Sequence, residues 1–339
     1  MALMKSSAIA HSNIALIKYW GHLNSVSPEL NIPLNDSVSM TKYGLSENCH
    51  LQTHTTIEFS EDLKENEAIL NNNKLSGRDL ERILKIVNPL KRLKKLDYNF
   101  KMMSFNDFPT QAGLASSAAG FAALTIAAAK ALNLDLSQKE LSTFARLGSG
   151  SAARSIHGGF VYWHRGFSHE TSYAEQICSS NYFDINTVIA IIDEGKKEVT
   201  SDIGHKLAET SIFNEIRVKN SHEQADEIKK AILDNDFKKV GMITEKNCLY
   251  MHAVMMTSEP ALFYWNPTTL KVIKKVLYIR KSEKIDCFFT IDAGPNVHCF
   301  CRPEDVDYIQ EMLLAIEGIE KAIIVKPAND SFTTNEHLF

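Results

Sequence analysis

Residues 109–118 read Pro109-Thr110-Gln111-Ala112-Gly113-Leu114-Ala115-Ser116-Ser117-Ala118, and they run directly into the apolar stretch Ala119-Gly120-Phe121-Ala122-Ala123-Leu124-Thr125-Ile126-Ala127-Ala128-Ala129. A run so rich in Ala and Leu predicts a helix over 114–132, with Gly120 its one interruption after the turn. A Gly- and Ser-rich turn that opens onto a helix gathers unpaired backbone N–H groups at the positive end of the helix dipole, which makes a phosphate seat. Gly113, Leu114, Ala115, Ser116 and Ser117 are therefore the candidate phosphate-binding residues, and the two hydroxyls can reach phosphate oxygens or a metal ion. No G-K-[ST] follows, so the turn is not a Walker loop. Two serines that merely cap a helix remain the plainer reading.

A second cluster, Gly148-Ser149-Gly150-Ser151-Ala152-Ala153-Arg154-Ser155, formally fits G-x-G-x-x-[G/A]. The dinucleotide fingerprint must follow a strand, whereas 141–147 is helical in spacing and is introduced by a capping box at Ser137 and Glu140. Ser151 and Arg154 lie three apart and share a helical face, with Ser149 just outside its first turn. Two hydroxyls, free N–H groups and a planar guanidinium thus converge on one anion, a carboxylate or a phosphate. Neither cluster contains G-x-S-x-G, which argues against a serine hydrolase.

Asp292-Ala293-Gly294-Pro295-Asn296 follows the apolar run 287–291. A carboxylate at a strand end beside a tight Gly-Pro turn can be held rigidly, which makes Asp292 a candidate base, although a turn-capping Asp fits equally. In Asn13-Ile14-Ala15-Leu16-Ile17-Lys18-Tyr19-Trp20-Gly21, Lys18 and Tyr19 add a cation and a phenol after a buried strand. Taken alone, that pair reads as surface decoration.

The 339 residues suit two domains or one unit with two lobes; 44% hydrophobic and 23% charged residues exclude disorder. Thirty-seven Lys and Arg against 41 Asp and Glu give a net charge of -4, so no global field attracts nucleic acid and any anion must be bound locally. The cluster Lys91-Arg92-Leu93-Lys94-Lys95 reads as a solvated helix face. No window approaches the roughly 20 apolar residues of a membrane span, and the first residues lack a signal-peptide plan, so a cytoplasmic protein is expected. The six cysteines include no C-x-x-C pair and read as buried, inert thiols. The histidines form no zinc set, and no metal held by protein ligands is predicted.

The element pattern is α+β with mostly antiparallel strands. Runs 56–59 and 68–70 suggest hairpins; 77–96 is helical in spacing but broken at Pro89. Further on come a strand over 187–192, helical stretches over 207–239 and 267–281, a strand over 287–291, a helix over 303–314 and a strand over 322–325. Residues 329–339 read as a loose tail. A polar segment over 194–205 suggests two lobes, 1–190 and 191–339.

The four motifs, in this order, resemble the GHMP superfamily of small-molecule kinases, and closely its diphosphomevalonate decarboxylase family. N-I-A-x-I-K-Y-W-G at 13–21, P-T-x-A-G-L-A-S-S-A at 109–118, G-S-G-S-A-x-R-S at 148–155 and D-A-G-P-N at 292–296 look like its signatures and span nearly the whole chain. The resemblance implies a two-lobed α+β fold with the active site in the cleft, a homodimer, and ATP, Mg2+ and a phosphorylated mevalonate as its small-molecule partners. It implies phosphorylation of a tertiary hydroxyl by ATP, then loss of that phosphate with CO2, giving isopentenyl diphosphate in the mevalonate pathway. ATP would sit at 113–117. Asp292 would be the base or orienting carboxylate, Lys18 a catalytic residue that helps position the substrate's own phosphates, and Arg154 would hold the substrate carboxylate. Asn13, Tyr19, Ser149, Ser151 and Lys197 would position the substrate. Two residues depart from the family: His22 stands where a basic residue is common after Y-W-G, and Asp202 stands near an expected diphosphate-binding arginine. These departures keep open a relative that acts on 5-phosphomevalonate to give isopentenyl phosphate. A non-catalytic ligand-binding protein on the same fold is opposed by Asp292 beside intact seryl loops.

Overall fold

The computed structural model describes residues 4–23, 25–47, 49–108, 116–193 and 199–339. The N-terminal half, in chain order, is β1 (Met4–His11), β2 (Asn13–Ile17), β3 (Ser37–Gly44), β4 (Gln52–Ser60), β5 (Glu67–Leu70), β6 (Asn73–Lys74), α1 (Gly77–Lys94), β7 (Asn99–Asn106), α2 (Ser116–Ala131), α3 (Gln138–Gly148), β8 (Phe160–Trp163), β9 (Ala174–Cys178) and β10 (Asn186–Ile191). There follow α4 (Ser201–Leu207), α5 (Asn214–Leu233), α6 (Phe237–Met256), α7 (Pro267–Tyr278), β11 (Phe288–Ile291), β12 (Val297–Cys301), α8 (Val306–Leu314), β13 (Lys321–Pro327) and β14 (Phe332–Thr334).

The strands form two sheets. One is six-stranded in the order β14-β1-β4-β7-β5-β6; the other runs β11-β12-β10-β13-β3-β8-β9, with β2 also paired to β3. Only the β5–β7 pair is parallel among the described residues, so the α+β, mostly antiparallel expectation holds. The first sheet packs Ala8, Ala10, Ile57, Phe59 and Phe100 against α1 and α2. Most of α2 is buried, and its run of alanines lets the helix lie close to the strands.

In the second sheet the two-residue period sorts each strand between two layers. Ile14, Met40, Phe288 and Phe300 face Ile228 and Ile232 of α5 and Val240 and Ile243 of α6. Val188, Phe289 and Cys299 face the other way, toward Val272 and Val276 of α7 and Ile309 and Leu313 of α8. A division after residue 190 falls within β10, and strands from both sides of that point share this sheet.

Four expectations need correction. Runs 56–59 and 68–70 do not pair with each other, because β7 lies between β4 and β5. The hairpin that does form is β5–β6, whose two-residue turn places Asn71 and Asn72 at φ 46 and 66, as a twist-matching turn requires. Helix α1 runs through Pro89 rather than breaking, and Ile83, Ile86, Val87 and Leu90 bury a continuous stripe that offsets the lost hydrogen bond. The helical stretch over 207–239 is not continuous: it is divided between α5 and α6, with Asn235 in the left-handed region and the Asp236 side chain capping α6 at Lys239. The last residues are no loose tail. Strand β14 pairs with β1, His337 Nδ1 lies 2.7 Å from Ser7 Oγ, and the Leu338 N–H donates to Thr56 Oγ1 at 3.0 Å.

The capping box of Ser137 and Glu140 is present at α3, and all six cysteines are free and buried. Of the basic cluster, Lys91 is buried beside Asp97 while its neighbours are exposed.

Candidate active site

Strand β2 delivers Lys18 at its C-terminal end. There the Lys18 N–H donates to Asn247 Oδ1 of α6 at 2.8 Å, and Asn35 Nδ2 donates to the Lys18 carbonyl at 3.0 Å. Lys18 is not surface decoration: its side chain is 1% exposed, and Nζ donates to Asp292 Oδ1 at 2.6 Å. Asp292 follows β11 in a turn that is pinned on several sides. Asn296 Oδ1 accepts from the Ile192 and Asp193 N–H groups at 2.7 and 3.1 Å, and Thr269 Oγ1 donates to the Pro295 carbonyl at 2.9 Å. The motif is therefore a rigid bracket for one carboxylate. Burial pushes the Asp292 carboxyl up, but the Lys18 ammonium and its hydrogen bond, aided by His298 and Lys42, win and hold it at about 2. Asp292 is thus a fixed anion at neutral pH, able to orient a hydroxyl and to accept its proton as the phosphoryl group is transferred to that oxygen.

Arg154 lies in the 3₁₀ turn that follows α3 and is 3% exposed. Its Nη1 donates to Ser37 Oγ at 2.6 Å and its Nη2 to Asn13 Oδ1 at 3.2 Å, while Asn13 Nδ2 donates to Ser155 Oγ at 2.8 Å. Burial lowers the guanidinium to about 10, still charged at neutral pH, and Asp292 acts on it electrostatically. Arg154 Nε is buried with no hydrogen-bond partner among the described residues.

The two glycines of the second motif make room rather than bind a dinucleotide. A Cβ on Gly150 would lie 2.5 Å from Tyr19 Oη, and one on Gly148 would lie 2.5 Å from Phe121 Cδ1. Tyr19 is thereby seated against the turn that carries Ser149, Ser151 and Arg154. The Ser117, Ser149 and Ser151 hydroxyls form a row, with Oγ atoms 3.4 and 3.3 Å apart, so the start of α2 adjoins the second motif. Ser116 occupies the first turn of α2. Gly113, Leu114, Ala115 and Lys197 lie outside the described residues.

The two departures also have definite places. His22 Nε2 lies 2.5 Å from Tyr19 Oη, and its ring stacks on His205 with centroids 4.7 Å apart. Burial lowers the His22 imidazole to about 4, with Lys206 adding to the effect and Asp202 opposing it, so this position is neutral at physiological pH. Asp202 pairs with Arg78 of α1 at 2.5 Å.

The sequence reading missed Arg78, His205 and Lys42. Arg78 and His205 lie outside the four motifs, on elements that only the fold brings near Tyr19. Lys42 did carry a signal: it stands two residues beyond Met40, on a strand face that is otherwise buried.

Beside the 105–108 segment, which leads straight into 109, lies a groove of about 730 Å³ lined by His54, Asn71, Phe105 and Asn106 among others. Its lining also carries the acids Glu47, Asp107 and Glu336, which do not suit a phosphate. No three His, Cys, Asp or Glu side chains cluster to hold a metal ion among the described residues. Mg2+ needs no such cage, since it commonly keeps waters and binds mainly through substrate phosphates. The hard hydroxyl oxygens of the Ser117–Ser149 row fit that mode.

These features define a GHMP-type kinase fold whose site gathers cations around one fixed carboxylate. The chain belongs to the diphosphomevalonate decarboxylase family. Residues 10–174 match the diphosphomevalonate decarboxylase-like N-terminal domain, and residues 187–336 match the mevalonate 5-diphosphate decarboxylase C-terminal domain. The diphosphomevalonate decarboxylase of Debaryomyces hansenii is 38% identical over 95% of this chain and 86% of its own. The phosphomevalonate decarboxylase of Haloferax volcanii is 32% identical over 91% of each. A solved structure described as MDDEF in complex with MVAPP, AMPPCP and magnesium superposes with a TM-score of 0.89 at 35% identity, covering 99% of this chain and all of that one.

Proposed function

We propose that this chain is an ATP- and Mg2+-dependent decarboxylase that converts mevalonate 5-diphosphate to isopentenyl diphosphate, ADP, phosphate and CO2. The observation that carries this reading is the Lys18–Asp292 pair, 2.6 Å apart and in electrostatic contact with the buried Arg154. A tertiary hydroxyl is a poor leaving group, and its phosphate is a good one. The protein therefore has to bring the γ-phosphoryl group to that oxygen and then hold the carboxylate in line with the bond that breaks.

Asp292, ionised and clamped by Lys18, accepts a hydrogen bond from the tertiary hydroxyl, aims its oxygen at the phosphoryl group and takes up its proton as the new O–P bond forms and the bond to ADP breaks. Phosphoryl transfer passes through a loose transition state, so positioning and charge matter more than strong base strength. Lys18 offsets the negative charge that gathers on the transferred group. Arg154 takes the substrate carboxylate through a guanidinium already fixed by Ser37 and Asn13. As the C–O bond to phosphate breaks, the electrons of the carboxylate-bearing C–C bond form the new double bond and CO2 leaves. Tyr19, Ser149, Ser151 and Lys197 hold the substrate's own phosphates. Residues Gly113, Leu114, Ala115, Ser116 and Ser117 seat the ATP phosphates. The Ser117 hydroxyl would help hold Mg2+, which would supply charge neutralisation for the phosphates.

A second reading, a decarboxylase of 5-phosphomevalonate, draws on the neutral His22, on Arg78 being engaged by Asp202, and on the Haloferax volcanii relative. Mevalonate, its 5-phosphate and its 5-diphosphate, each given with ATP-Mg while ADP and CO2 are followed, separate the two. The first reading expects the highest kcat/KM with the diphosphate, the second with the monophosphate.

A division of the chain into two lobes accords with the two matching domains, which part between 174 and 187, a few residues before the expected boundary at 190. A cytoplasmic location accords with the described helices, none of which is long and apolar enough to cross a membrane. A homodimer follows from the family resemblance, and sedimentation of the purified chain tests it.

A further inference from the structure

Strand β2 ends at Ile17, and beyond it the chain leaves the sheet. Backbone groups that a strand partner would take are taken there by side chains. The Lys18 N–H donates to Asn247 Oδ1, and Asn35 Nδ2 donates to the Lys18 carbonyl. Arg217 Nη2 of α5 donates to the Trp20 carbonyl at 2.6 Å, and the Gly21 N–H donates to His205 Nδ1 at 2.8 Å. Both amides are joined in turn to α5. Arg217 Nη1 donates to Asn35 Oδ1 at 3.0 Å, while Asn247 Nδ2 donates to Gln224 Oε1 at 2.7 Å and to Ser221 Oγ at 3.1 Å. Asn214 Oδ1, one turn earlier on α5, accepts from Arg217 Nε and Nη2 at 3.4 Å and steadies the guanidinium.

Arg217, Ser221 and Gln224 fall at helical spacing on one face of α5 and are all buried. The same face continues with Ile228 and Ile232, which pack in the apolar layer beneath the sheet. Packing alone would be served by apolar residues along the whole face, since a buried polar side chain is costly unless its groups are paired. Here they are paired, and the pairing ends on the backbone that carries Lys18, whose Nζ holds Asp292, and Tyr19, which sits against the turn of Ser149 and Ser151. We infer that Arg217 is a positioning residue for the transfer reaction. Its planar fork spans two points at once, the Trp20 carbonyl directly and the Lys18 carbonyl through Asn35, and so sets the direction in which the Lys18 side chain leaves the end of β2. Arg217 acts through this backbone and needs no contact with substrate. Misplacement of a reacting group by about 1 Å can cost on the order of 100-fold, so a fixed peptide here bears directly on rate.

This role rests on the reading of Lys18 and Asp292 as the transfer centre. The test is a double-mutant cycle on kcat for ADP formation, with Arg217→Met made both in the parent and in Lys18→Met. In the parent, Arg217→Met should lower kcat about 30-fold and leave KM for ATP within about twofold. In Lys18→Met no ammonium is left to place, and the same change should cost less than about threefold. A merely structural role moves both backgrounds alike. An equal loss in the two, or a parental kcat in Arg217→Met, overturns the inference. If Arg217→Met does not accumulate as folded protein, Arg217→Lys is carried through the same cycle, because it keeps the charge but cannot span Trp20 and Asn35 together. A loss confined to the background that retains Lys18 supports the inference, and an equal loss in both overturns it. Turnover of Lys18→Met within a few-fold of the parent would overturn the transfer centre and this role with it, whereas equal losses beside a strongly impaired Lys18→Met would overturn the role of Arg217 alone.

Discussion

Lys18 Nζ and Asp292 Oδ1 lie 2.6 Å apart although 274 positions separate the two residues in the chain. One arrives at the end of β2 and the other at the end of β11, and both ends are fixed by side chains from other elements, Asn247 for Lys18 and Asn296 for the Asp292 turn. The pair joins the first motif of the chain to the last.

Replacement of Asp292 by Asn keeps the size and removes the charge. ADP formation should fall at least about 100-fold, within the range that a positioned charged group supplies, while ATP still binds. Parallel measurement of ADP release and nucleotide affinity checks this; turnover within a few-fold of the parent would remove Asp292 from its assigned role.

The same pair should mark the acid limb of stability. Asp292 is held at about 2 in the folded protein against 3.8 ordinarily. Its contribution is therefore fully present above about pH 4 and is lost as pH falls toward 2, because the unfolded chain binds the proton first. Denaturant unfolding between pH 2 and 5 should show a steeper loss for the parent than for Asp292→Asn. Parallel curves would mean the pair adds nothing to folding.

Arg154→Ala removes the proposed clamp on the substrate carboxylate and also leaves Ser37 and Asn13 without their partner. CO2 release should drop about 100-fold or more. Arg154→Lys should recover little of it, since an ammonium cannot reproduce the planar fork that Ser37 and Asn13 fix. Comparable CO2 release from Arg154→Ala and the parent would place the carboxylate elsewhere.

Gly150→Ala introduces a Cβ 2.5 Å from the Tyr19 hydroxyl. Overpacking of this kind costs about 1–3 kcal/mol. Displacement of Tyr19 should raise KM for the phosphorylated substrate more than it lowers kcat. An unchanged KM would show that Tyr19 can move without consequence for binding.

Some of this was legible in the sequence because it is local. The Ser137–Glu140 capping box, the end of β11 at Asp292, and the turn carrying Ser149, Ser151 and Arg154 each lie within a few residues of the groups that define them. Pairings across the chain left no such trace. Lys18 alone reads as a strand-end lysine, because its partner lies far downstream. The partnership of β5 with β7 rather than β4 depends on a strand that enters some thirty residues later. The C-terminal residues read as a tail because β14 is only three residues long, and its order comes from β1, Ser7 and Thr56. Pro89 misled for the opposite reason: the local penalty is real, but the buried stripe of α1 outweighs it. Lys42 shows what the period of a strand can reveal, since a charge that alternates in step with Val38 and Met40 marks a buried register position from the residue order alone.

The most direct test of the central claim is the product ratio from the unmodified chain given mevalonate 5-diphosphate and ATP-Mg, with ADP and CO2 measured in the same reaction. Coupled transfer and decarboxylation at the Lys18–Asp292–Arg154 site predicts one CO2 for each ADP throughout the time course. ADP formed without CO2 would contradict it.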